Sequence, residues 1–477
     1  MHDVDRIHVG GRYRTAHSSA RITLTSPVTE KRIGSVVDAG DADVAEAAAT
    51  ARRALPDWSR TTGDRRAELL TDLATAYDAR REEIAALVTE QNGAVITRSR
   101  RTNGTRPVAL YRHYAERARS LDRETPWPSG RGVTRREPAG VVGAIVPWNA
   151  PQSLLAAKLG PALAAGCTVV VKPSPETSLD ALLLAELATA AGIPPGVLNV
   201  VTGGRGTGAA LVGCADVDMV SFTGSTAAGR GIAARCGERL VPLLAELGGK
   251  SAAVVLDDAD PALLATHLIR TCLPNTGQVC YSCTRLIVPR ARFDELVDVA
   301  TTVLSRAVLG DPADPASDFG PLVSAAQRAR VEDYLRSARD EGSRVALGGG
   351  RPAGLPEGFY VEPTVLVDVH REMRVVREEI FGPVLVVVPH DGDADAVRIA
   401  NDSSYGLGGA VFGADVERAR AVARAMETGT VSINGQDGEI AAAFQGFKDS
   451  AVGGPPDERA YLQIRSIAWP AGHAQGG

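Results

Sequence analysis

Two side chains able to carry out covalent acid–base chemistry stand in the segments AELGGKS and NTGQVCYSCTR. Cys280 follows a turn that contains glycine, and its thiolate would be a nucleophile toward a carbonyl carbon. Glu246 lies at the expected end of a strand beside two glycines. A carboxylate whose pKa is raised by an apolar pocket can act as a general base near neutral pH. The pair therefore predicts a reaction at a thiol that is assisted by a carboxylate.

Cys283 forms a CxxC motif with Cys280, which is also typical of a redox pair or of half a metal site. The sequence contains no second CxxC motif, and its eight histidines lie outside these segments. We therefore expect no metal site and no cysteine–histidine pair, and we interpret Cys283 as a bystander. Taken alone, Cys280 is equally compatible with a small buried structural cysteine.

Two further segments are typical of nucleotide sites. In VDMVSFTGSTAAG, an apolar strand leads into a helix through Gly224, Ser225 and Gly229. Backbone N–H groups and the positive helix end can approach a phosphate there, although such a turn is often purely structural. In CTVVVKPSPET, Lys172 ends a buried strand. Because ligands bind at the carboxyl ends of strands in open parallel sheets, we expect Lys172 to contact a ribose or a phosphate.

The elements that position these groups follow from the hydrophobic periodicity. Residues 41–120 repeat apolar positions at helical spacing, and from residue 140 short β-rich runs alternate with helical ones. This alternation predicts an α/β fold with a parallel sheet covered by helices, and a second such unit runs from 251 to about 434. Residues 122–138 and the chain ends lack apolar periodicity. We expect them to pair with each other or with another subunit.

The composition excludes several classes of protein. The chain has 477 residues, 44% of them hydrophobic and 23% charged, and a formal net charge of -5. It therefore lacks the basic surface expected for binding nucleic acid or an anionic membrane, and no stretch reaches the roughly 20 apolar residues of a membrane helix. Six cysteines in so long a chain do not form a disulfide framework, so we expect a cytoplasmic protein with a small-molecule partner.

Eight motifs together resemble the aldehyde dehydrogenase superfamily. They are, in the order and at the spacing of that family, PWNAP, KPS, FTGSTAAG, ELGGKS, GQVC, EEIFGPV, NDSSYGL and GTVSIN. The resemblance covers about residues 34–447 and implies a homodimer or homotetramer. It also implies a Rossmann-like cofactor-binding domain at residues 1–120 and 139–250 and an α/β catalytic domain at residues 251–445. A small β oligomerisation arm with a C-terminal tail would comprise residues 121–138 and 446–477.

The resemblance implies oxidation of an aldehyde to its carboxylic acid. The Cys280 thiolate would attack the aldehyde carbon, and the oxyanion would lie between the Asn149 amide and the Cys280 backbone N–H. Hydride transfer to the nicotinamide would leave a thioester, which water activated by Glu246 would hydrolyse. Lys158 is implied to serve a proton path, with a surface charge on its helix as the alternative.

Cofactor contacts are implied in the same way. Lys172 and Glu379 would hold the two ribose units, Ser225 the pyrophosphate, and Phe381 would pack near the nicotinamide. The remaining candidates lie within the same motifs and are Pro147, Trp148, Ser174, Glu176, Gly224, Gly229 and Leu247.

Three departures from the family pattern concern specificity. Pro175 stands where the family commonly has a glutamate that binds the adenosine ribose, and Glu176 follows it. We therefore expect NAD as the preferred cofactor and NADP as a weaker one. Ala150 and Ala157 occupy channel positions that are often aromatic, which predicts a wider entrance. Gln463 replaces the acid of a C-terminal motif, which predicts an altered proton path if that acid serves it.

Two alternatives remain. The first is an enzyme that transfers the acyl group to coenzyme A, which Glu246 argues against because such relatives tend to lack the base. The second is a nucleotide-binding structural protein that has lost turnover, which the intact Asn149, Glu246 and Cys280 argue against. The aldehyde itself is not identified by the sequence.

Overall fold

The computed structural model describes residues 1–121, 123–436, 439–440, 444–454 and 457–470. The positions outside the described residues are Asp122 of the predicted arm, residues 437–438 and 441–443 of the predicted catalytic domain, and residues 455–456 and 471–477 of the predicted tail. The strands are β1 (His2–Val4), β2 (Arg6–Val9), β3 (Arg12–Thr15), β4 (Arg21–Thr25), β5 (Arg32–Val37), β6 (Glu124–Pro126), β7 (Gly132–Pro138), β8 (Val141–Ile145), β9 (Thr168–Lys172), β10 (Leu198–Val200), β11 (Met219–Thr223), β12 (Leu243–Glu246), β13 (Ala252–Val255), β14 (Arg285–Pro289), β15 (Arg344–Leu347), β16 (Thr364–Val367), β17 (Val384–His390), β18 (Tyr405–Gly406), β19 (Gly408–Phe412), β20 (Thr430–Ile433), β21 (Phe447–Lys448), β22 (Ala451–Val452) and β23 (Leu462–Ala468).

The helices cover the predicted helical segments and several others. They are α1 (Asp41–Arg60), α2 (Gly63–Ala79), α3 (Arg81–Asn92), α4 (Ile96–Ser99), α5 (Arg106–Arg119), α6 (Pro151–Ala165), α7 (Leu179–Ala190), α8 (Arg205–Gly213), α9 (Thr226–Arg239), α10 (Pro261–Cys272), α11 (Phe293–Arg306), α12 (Ala325–Asp340), α13 (Arg374–Arg377), α14 (Asp393–Asn401) and α15 (Val416–Ala425). A π-helical turn, Arg100–Thr105, joins α4 to α5.

The first sheet has the strand order β22-β12-β11-β8-β9-β10-β2-β3. Its central strands, β12 to β10, run parallel, and the flanking strands β22, β2 and β3 pair antiparallel. Strands β8, β9 and β11 are buried along their whole length. Continuous apolar runs such as these are typical of parallel strands that are covered by helices on both faces. The α/β prediction is confirmed.

The second sheet has the order β15-β16-β17-β14-β13-β19-β20 and is parallel except for the pair β15 and β16. Apolar side chains of α10 and α11 pack on one face of this sheet, and those of α14 and α15 pack on the other. The chain then returns to the first sheet, because β22 pairs with β12.

The arm sheet, with the order β23-β7-β6, joins two segments that are distant in the sequence. Strand β23 pairs antiparallel with β7, from Leu462 opposite Pro138 to Ala468 opposite Gly132. The predicted arm and the C-terminal segment therefore pair with each other within one chain. The N-terminal strands β2 and β3 instead extend the first sheet.

The register of the first sheet brings several strand ends to one edge. Thr223 pairs with Glu246, Phe222 with Ile145, and Ile145 in turn with Lys172. Because these neighbouring strands are parallel, their carboxyl ends lie side by side. This is the edge at which open α/β sheets bind their ligands.

Candidate active site

Cys280 lies in the loop between α10 and β14, and contacts with other segments hold this loop. The Gln278 side-chain oxygen accepts a hydrogen bond of 3.0 Å from the Val323 N–H. Gly277 has a φ of +72°, and a Cβ there would lie 1.9 Å from the Gly382 carbonyl oxygen. Glycine is therefore required where the loop packs against that carbonyl. These contacts fix the backbone that presents the Cys280 thiol.

Asn149 stands just before α6, and its side chain is 6% exposed. Its Nδ2 donates a hydrogen bond of 3.0 Å to the Gln278 carbonyl oxygen, and its own carbonyl accepts one of 3.3 Å from Asn275 Nδ2. A side-chain amide carries two N–H donors. One therefore ties Asn149 to the loop of Cys280, and the second is available to a ligand.

Glu246 ends β12, and the next residues run directly beside Cys280. A Cβ on Gly249 would lie 2.4 Å from the Cys280 carbonyl oxygen, so this close approach requires glycine. Among the described residues, the buried Oε2 of Glu246 has no hydrogen-bond partner. Burial raises the pKa of Glu246, and the charge of Lys158 opposes that rise. The side chain is therefore suited to accept a proton near neutral pH.

Burial also raises the pKa of the Cys280 thiol, to about 12, and the charges of Glu379 and Glu246 add to the rise. The thiol must therefore lose its proton before the sulfur can attack a carbonyl carbon. Cys283 packs instead among apolar side chains near Cys272. No carboxylate contributes to the pKa shift of Cys283, so the structure brings only Cys280 together with Glu246.

Lys158 lies on α6 and is 4% exposed, so its interpretation as a surface charge is wrong. Its ammonium donates a hydrogen bond of 3.1 Å to Ser221 Oγ on β11. Burial lowers the pKa of Lys158, and the nearby Glu246 carboxylate opposes that effect. Lys158 and Glu246 therefore lie close enough for each to affect the pKa of the other.

Lys172 is buried at the end of β9, and its ammonium donates a hydrogen bond of 3.1 Å to the Gly203 carbonyl oxygen. Burial lowers the pKa of Lys172 to about 8, and the charges of Glu176 and Asp38 oppose this. Glu176 accepts a hydrogen bond of 2.5 Å from Ser174 Oγ. A carboxylate therefore stands close to Lys172 although Pro175 occupies the usual position of the acid.

The glycine-rich turn leads from β11 into α9. Ser225 caps the helix by accepting a hydrogen bond of 3.3 Å from the Ala228 N–H. A Cβ on Gly229 would lie 2.4 Å from Leu247 Cδ2, so this glycine serves the packing of Leu247. The Gly224 N–H donates to the Glu246 carbonyl oxygen at 3.1 Å. The positive end of a 14-residue helix thus lies at the same edge as the Lys172 ammonium.

Glu379 and Phe381 reach this region from the loop between α13 and β17, a strand of the second sheet. Glu379 Oε1 accepts a hydrogen bond of 3.0 Å from the Gly249 N–H, and burial raises the pKa of Glu379 to about 7. Phe381 has a φ of 62°, an uncommon conformation for a bulky residue. Its ring packs edge-to-face on Trp148 at 5.4 Å between centroids, next to the half-buried Pro147. An apolar wall therefore lies beside the carboxylate.

Together these groups fit a dinucleotide. The helix N-terminus suits a pyrophosphate, Lys172 and Glu379 suit ribose hydroxyls, and the wall formed by Trp148 and Phe381 suits an aromatic ring. No group of three or more His, Cys, Asp or Glu residues within the described ranges could hold a metal ion. In the same part of the chain, no helix has the length and apolar character needed to cross a membrane.

Several residues of the site were not identified from the sequence. Gly249 and Gln278 act through backbone groups. Ser221 contacts Lys158, and Tyr461 in turn contacts Ser221. Gly249 and Gln278 lie within recognised motifs, which was a usable signal. Nothing in the spacing pointed to Ser221 or Tyr461.

Comparison with known proteins places this geometry in a family. The model of the Aldehyde dehydrogenase family matches residues 13–467. A geranial dehydrogenase of Castellaniella defragrans is 45% identical over 98% of both chains, and a 3-succinoylsemialdehyde-pyridine dehydrogenase of Pseudomonas is 40% identical over 98% of this chain and 99% of that one.

Solved structures agree with the relatives. An aldehyde dehydrogenase of Mycobacterium tuberculosis in complex with NAD+ has a TM-score of 0.95 at 39% identity, covering 99% of each chain. A variant of aldehyde dehydrogenase C of Pseudomonas syringae with NAD+ and octanal has a TM-score of 0.93 at 37% identity, covering 97% of this chain and 96% of that one. The expected resemblance is confirmed: the chain belongs to the aldehyde dehydrogenase family and is an NAD(P)-dependent enzyme that oxidises aldehydes to carboxylic acids.

Proposed function

We propose that Cys280 is the nucleophile of this oxidation and that Glu246 is its base. The Cys280 thiol loses its proton to solvent, and its sulfur then forms a bond to the aldehyde carbon. The oxygen of the resulting thiohemiacetal accepts hydrogen bonds from the free N–H of Asn149 and the backbone N–H of Cys280. After oxidation to the thioester, Glu246 takes a proton from water, which attacks the carbonyl carbon and releases the carboxylic acid and the thiol.

The observation that carries this proposal is the link between Asn149 and the loop of Cys280. The bond from Asn149 Nδ2 to the Gln278 carbonyl orients the amide and leaves one of its N–H groups for the substrate oxygen. Glu246 Oε2 has no hydrogen-bond partner in the described part of the chain. This supports the second half of the scheme, because a carboxylate held in an ion pair would be a poorer base.

Glu246→Gln tests the division of roles. Because the charge of Glu246 raises the pKa of Cys280, its removal leaves thiol attack possible while water loses its base. We expect one burst of reduced cofactor for each active site and a steady-state rate lowered by about 100- to 10,000-fold. Loss of the burst together with turnover would assign Glu246 to thiol activation instead.

For cofactor binding, we propose that Lys172 and Glu379 hold the two ribose units, Ser225 and the start of α9 the pyrophosphate, and Phe381 the nicotinamide end. NAD held by these residues would supply the acceptor for the hydride that leaves the thiohemiacetal carbon. The remaining proposed contacts belong to the same edge and wall, and they are Pro147, Trp148, Ser174, Glu176, Gly224, Gly229 and Leu247.

For the substrate, we propose an elongated apolar aldehyde, such as an acyclic terpenoid aldehyde. The relative at 45% identity is named a geranial dehydrogenase. In this chain, Ala150 and Ala157 replace the larger aromatic side chains common in the channel. Tyr281, 41% exposed next to Cys280, packs edge-to-face on Phe444 with 6.2 Å between ring centroids, which supplies an apolar surface beside the thiol.

A panel of geranial, octanal, propanal and a charged aldehyde tests this proposal, and adding coenzyme A tests for acyl transfer. We expect the largest kcat/KM for geranial and octanal. Ala150→Phe narrows the entrance and is expected to lower kcat/KM for geranial more than for propanal. An equal loss for both aldehydes, or a preference of the unsubstituted enzyme for propanal, would refute a wide apolar channel.

We further propose a homodimer or homotetramer assembled through the arm, with the three-part division into residues 1–120 and 139–250, 251–445, and 121–138 and 446–477. Strand β23 is an edge strand that exposes Ile464 and Ile467, the first by 73%. An apolar strand edge of this kind is typical of a surface that pairs with another chain. We also infer a cytoplasmic location, supported by six free cysteines.

A further inference from the structure

Two buried hydroxyl groups, those of Ser221 and Tyr461, form a hydrogen-bonded chain that begins at Lys158. The Lys158 ammonium donates to Ser221 Oγ at 3.1 Å, and Ser221 Oγ lies 3.0 Å from the Tyr461 hydroxyl. The exposed fraction of these three residues does not exceed 4%. Within the described residues, Ser221 is the one hydrogen-bond partner of the Lys158 side chain.

The three residues come from three separate elements, α6, β11 and the short helical turn Glu458–Tyr461 before β23. The Tyr461 carbonyl accepts a hydrogen bond of 2.8 Å from the Ala139 N–H, which fixes the start of the arm strand against the sheet. Gln463 is exposed, and its side chain donates to the Pro138 carbonyl at 3.2 Å. It therefore provides no charged partner for Lys158.

Hydroxyl groups differ from a carboxylate because each can both donate and accept a hydrogen bond. When Lys158 is charged, Ser221 accepts from the ammonium and donates to the Tyr461 oxygen. When Lys158 is neutral, Tyr461 can donate to Ser221, and Ser221 can donate to the lysine nitrogen. The contacts from Lys158 to Ser221 and from Ser221 to Tyr461 are therefore kept in both protonation states. The bond from the charged ammonium is the stronger one, because a charged donor strengthens a hydrogen bond.

We propose that Ser221 and Tyr461 are positioning residues that hold Lys158 beside Glu246 and thereby set the pH at which Glu246 can take a proton from water. The proposal rests on the proposed role of Glu246 as the base for thioester hydrolysis.

The charges that act on Lys158 and Glu246 come from these two residues themselves. Glu246 is the charged group that acts on Lys158, and Lys158 is the one that acts on Glu246. Burial raises the pKa of Tyr461 far above neutral, and the groups acting on it are Tyr114, whose pKa is raised to about 12, and Cys167, whose pKa is raised to about 11. None of these three is charged near pH 7.

Glu379 acts on Cys280, and the buried Glu458, which forms an ion pair with Arg117, acts on Tyr114. Glu379 contributes to the shift of Cys280 but not to those of Lys158 or Glu246. Removing the Ser221 hydroxyl therefore acts on a pair without other charged neighbours. Lys158 would lose the hydrogen bond that stabilises its charge, and Glu246 would lose the cation that favours its carboxylate form.

Hydrolysis of 4-nitrophenyl acetate measures this effect, because the ester acylates a nucleophilic thiol without cofactor. Release of 4-nitrophenol after the initial burst then reports acyl-enzyme hydrolysis. For Ser221→Ala, we expect the acid limb of the pH profile to move upward by about 0.5 to 1 pH unit. Tyr461→Phe should move the limb in the same direction by less, and Ser221→Thr, which keeps the hydroxyl, should restore the wild-type profile.

Tyr111→Phe is the matched control for Tyr461→Phe. Tyr111 is fully buried in the same apolar cluster, and among the described residues its hydroxyl has no hydrogen-bond partner. Its removal should leave the acid limb unchanged. A limb that stays in place in Ser221→Ala or that moves equally in Tyr111→Phe overturns the proposal, and Tyr461→Phe decides the matter if Ser221→Ala does not fold. Unimpaired hydrolysis in Glu246→Gln would instead refute the role of Glu246 as the base.

Discussion

Replacing Asn149 separates its role toward the substrate from its role in the loop. The side chain donates one hydrogen bond to the buried Gln278 carbonyl and has one N–H left. Asn149→Ala removes both donors. Loss of an oxyanion donor lowers turnover by about 100- to 1,000-fold, equivalent to roughly 2.7 to 4 kcal/mol. The carbonyl of Gln278, left without its donor, costs about 1 to 3 kcal/mol of folding stability.

Asn149→Asp keeps the size of the side chain but replaces the donor with an anion. It should lower turnover further than Asn149→Ala, because a carboxylate repels both the Gln278 carbonyl and the developing oxyanion. Asn275→Ala is the matched control, since it removes the 3.3 Å bond to the Asn149 carbonyl but no donor toward Cys280.

The assay combines kcat and KM for one good aldehyde with the NAD dissociation constant and the thermal midpoint. We expect Asn149→Ala to lose kcat with little change in NAD affinity, and Asn275→Ala to lose stability with kcat largely kept. Nearly intact kcat in Asn149→Ala, together with a lowered thermal midpoint, would show that Asn149 is only a structural turn residue.

Three further outcomes are expected. Cys280→Ser should abolish aldehyde oxidation while Cys283→Ser keeps most of it, and the opposite result would move the nucleophile to Cys283. The ratio of kcat/KM values should favour NAD over NADP by roughly 5- to 30-fold, or about 1 to 2 kcal/mol, and Glu176→Gln should reduce that ratio because the carboxylate repels a 2′-phosphate. A ratio unchanged in Glu176→Gln would assign the preference to another group. Light scattering at micromolar protein should give a mass of two or four chains of 49.8 kDa, and a single-chain mass would refute assembly through the arm.

The sequence predicted the alternating elements well because buried parallel strands and amphipathic helices have strong periodic patterns. It did not identify α8, whose sequence RGTGAALVG contains three glycines and has a low intrinsic helix propensity. Long-range contacts explain why this segment is helical. Asp38 accepts hydrogen bonds from the Gly204 N–H at 2.9 Å and the Thr207 hydroxyl at 3.2 Å at the start of the helix. Such contacts have no signature in a local sequence window.

The same limit applies to the site. Cys280, Glu246 and Asn149 could be selected because each lies in a motif whose chemistry is local to that motif. Ser221 is separated from Tyr461 by 240 residues, and either residue alone is an ordinary member of a strand or a core. Their connection depends on how β11, α6 and the segment before β23 pack together. The contacts that join Lys158, Ser221 and Tyr461 could therefore not be predicted from the spacing of these residues in the sequence.

Burial at the sheet edge links the stability of this enzyme to its chemistry. Glu246, Lys158 and Lys172 all lie where burial disfavours their charged forms, and Glu246 Oε2 lacks a hydrogen-bond partner among the described residues. Each such group lowers the free energy of unfolding relative to a well-packed apolar side chain. The same burial raises the pKa of Glu246 and lowers that of Lys158, so that the proton affinities of the two groups move toward each other. The surrounding apolar core offsets this cost at Glu246, Lys158 and Lys172, which stand on strands and a helix of the first sheet's core.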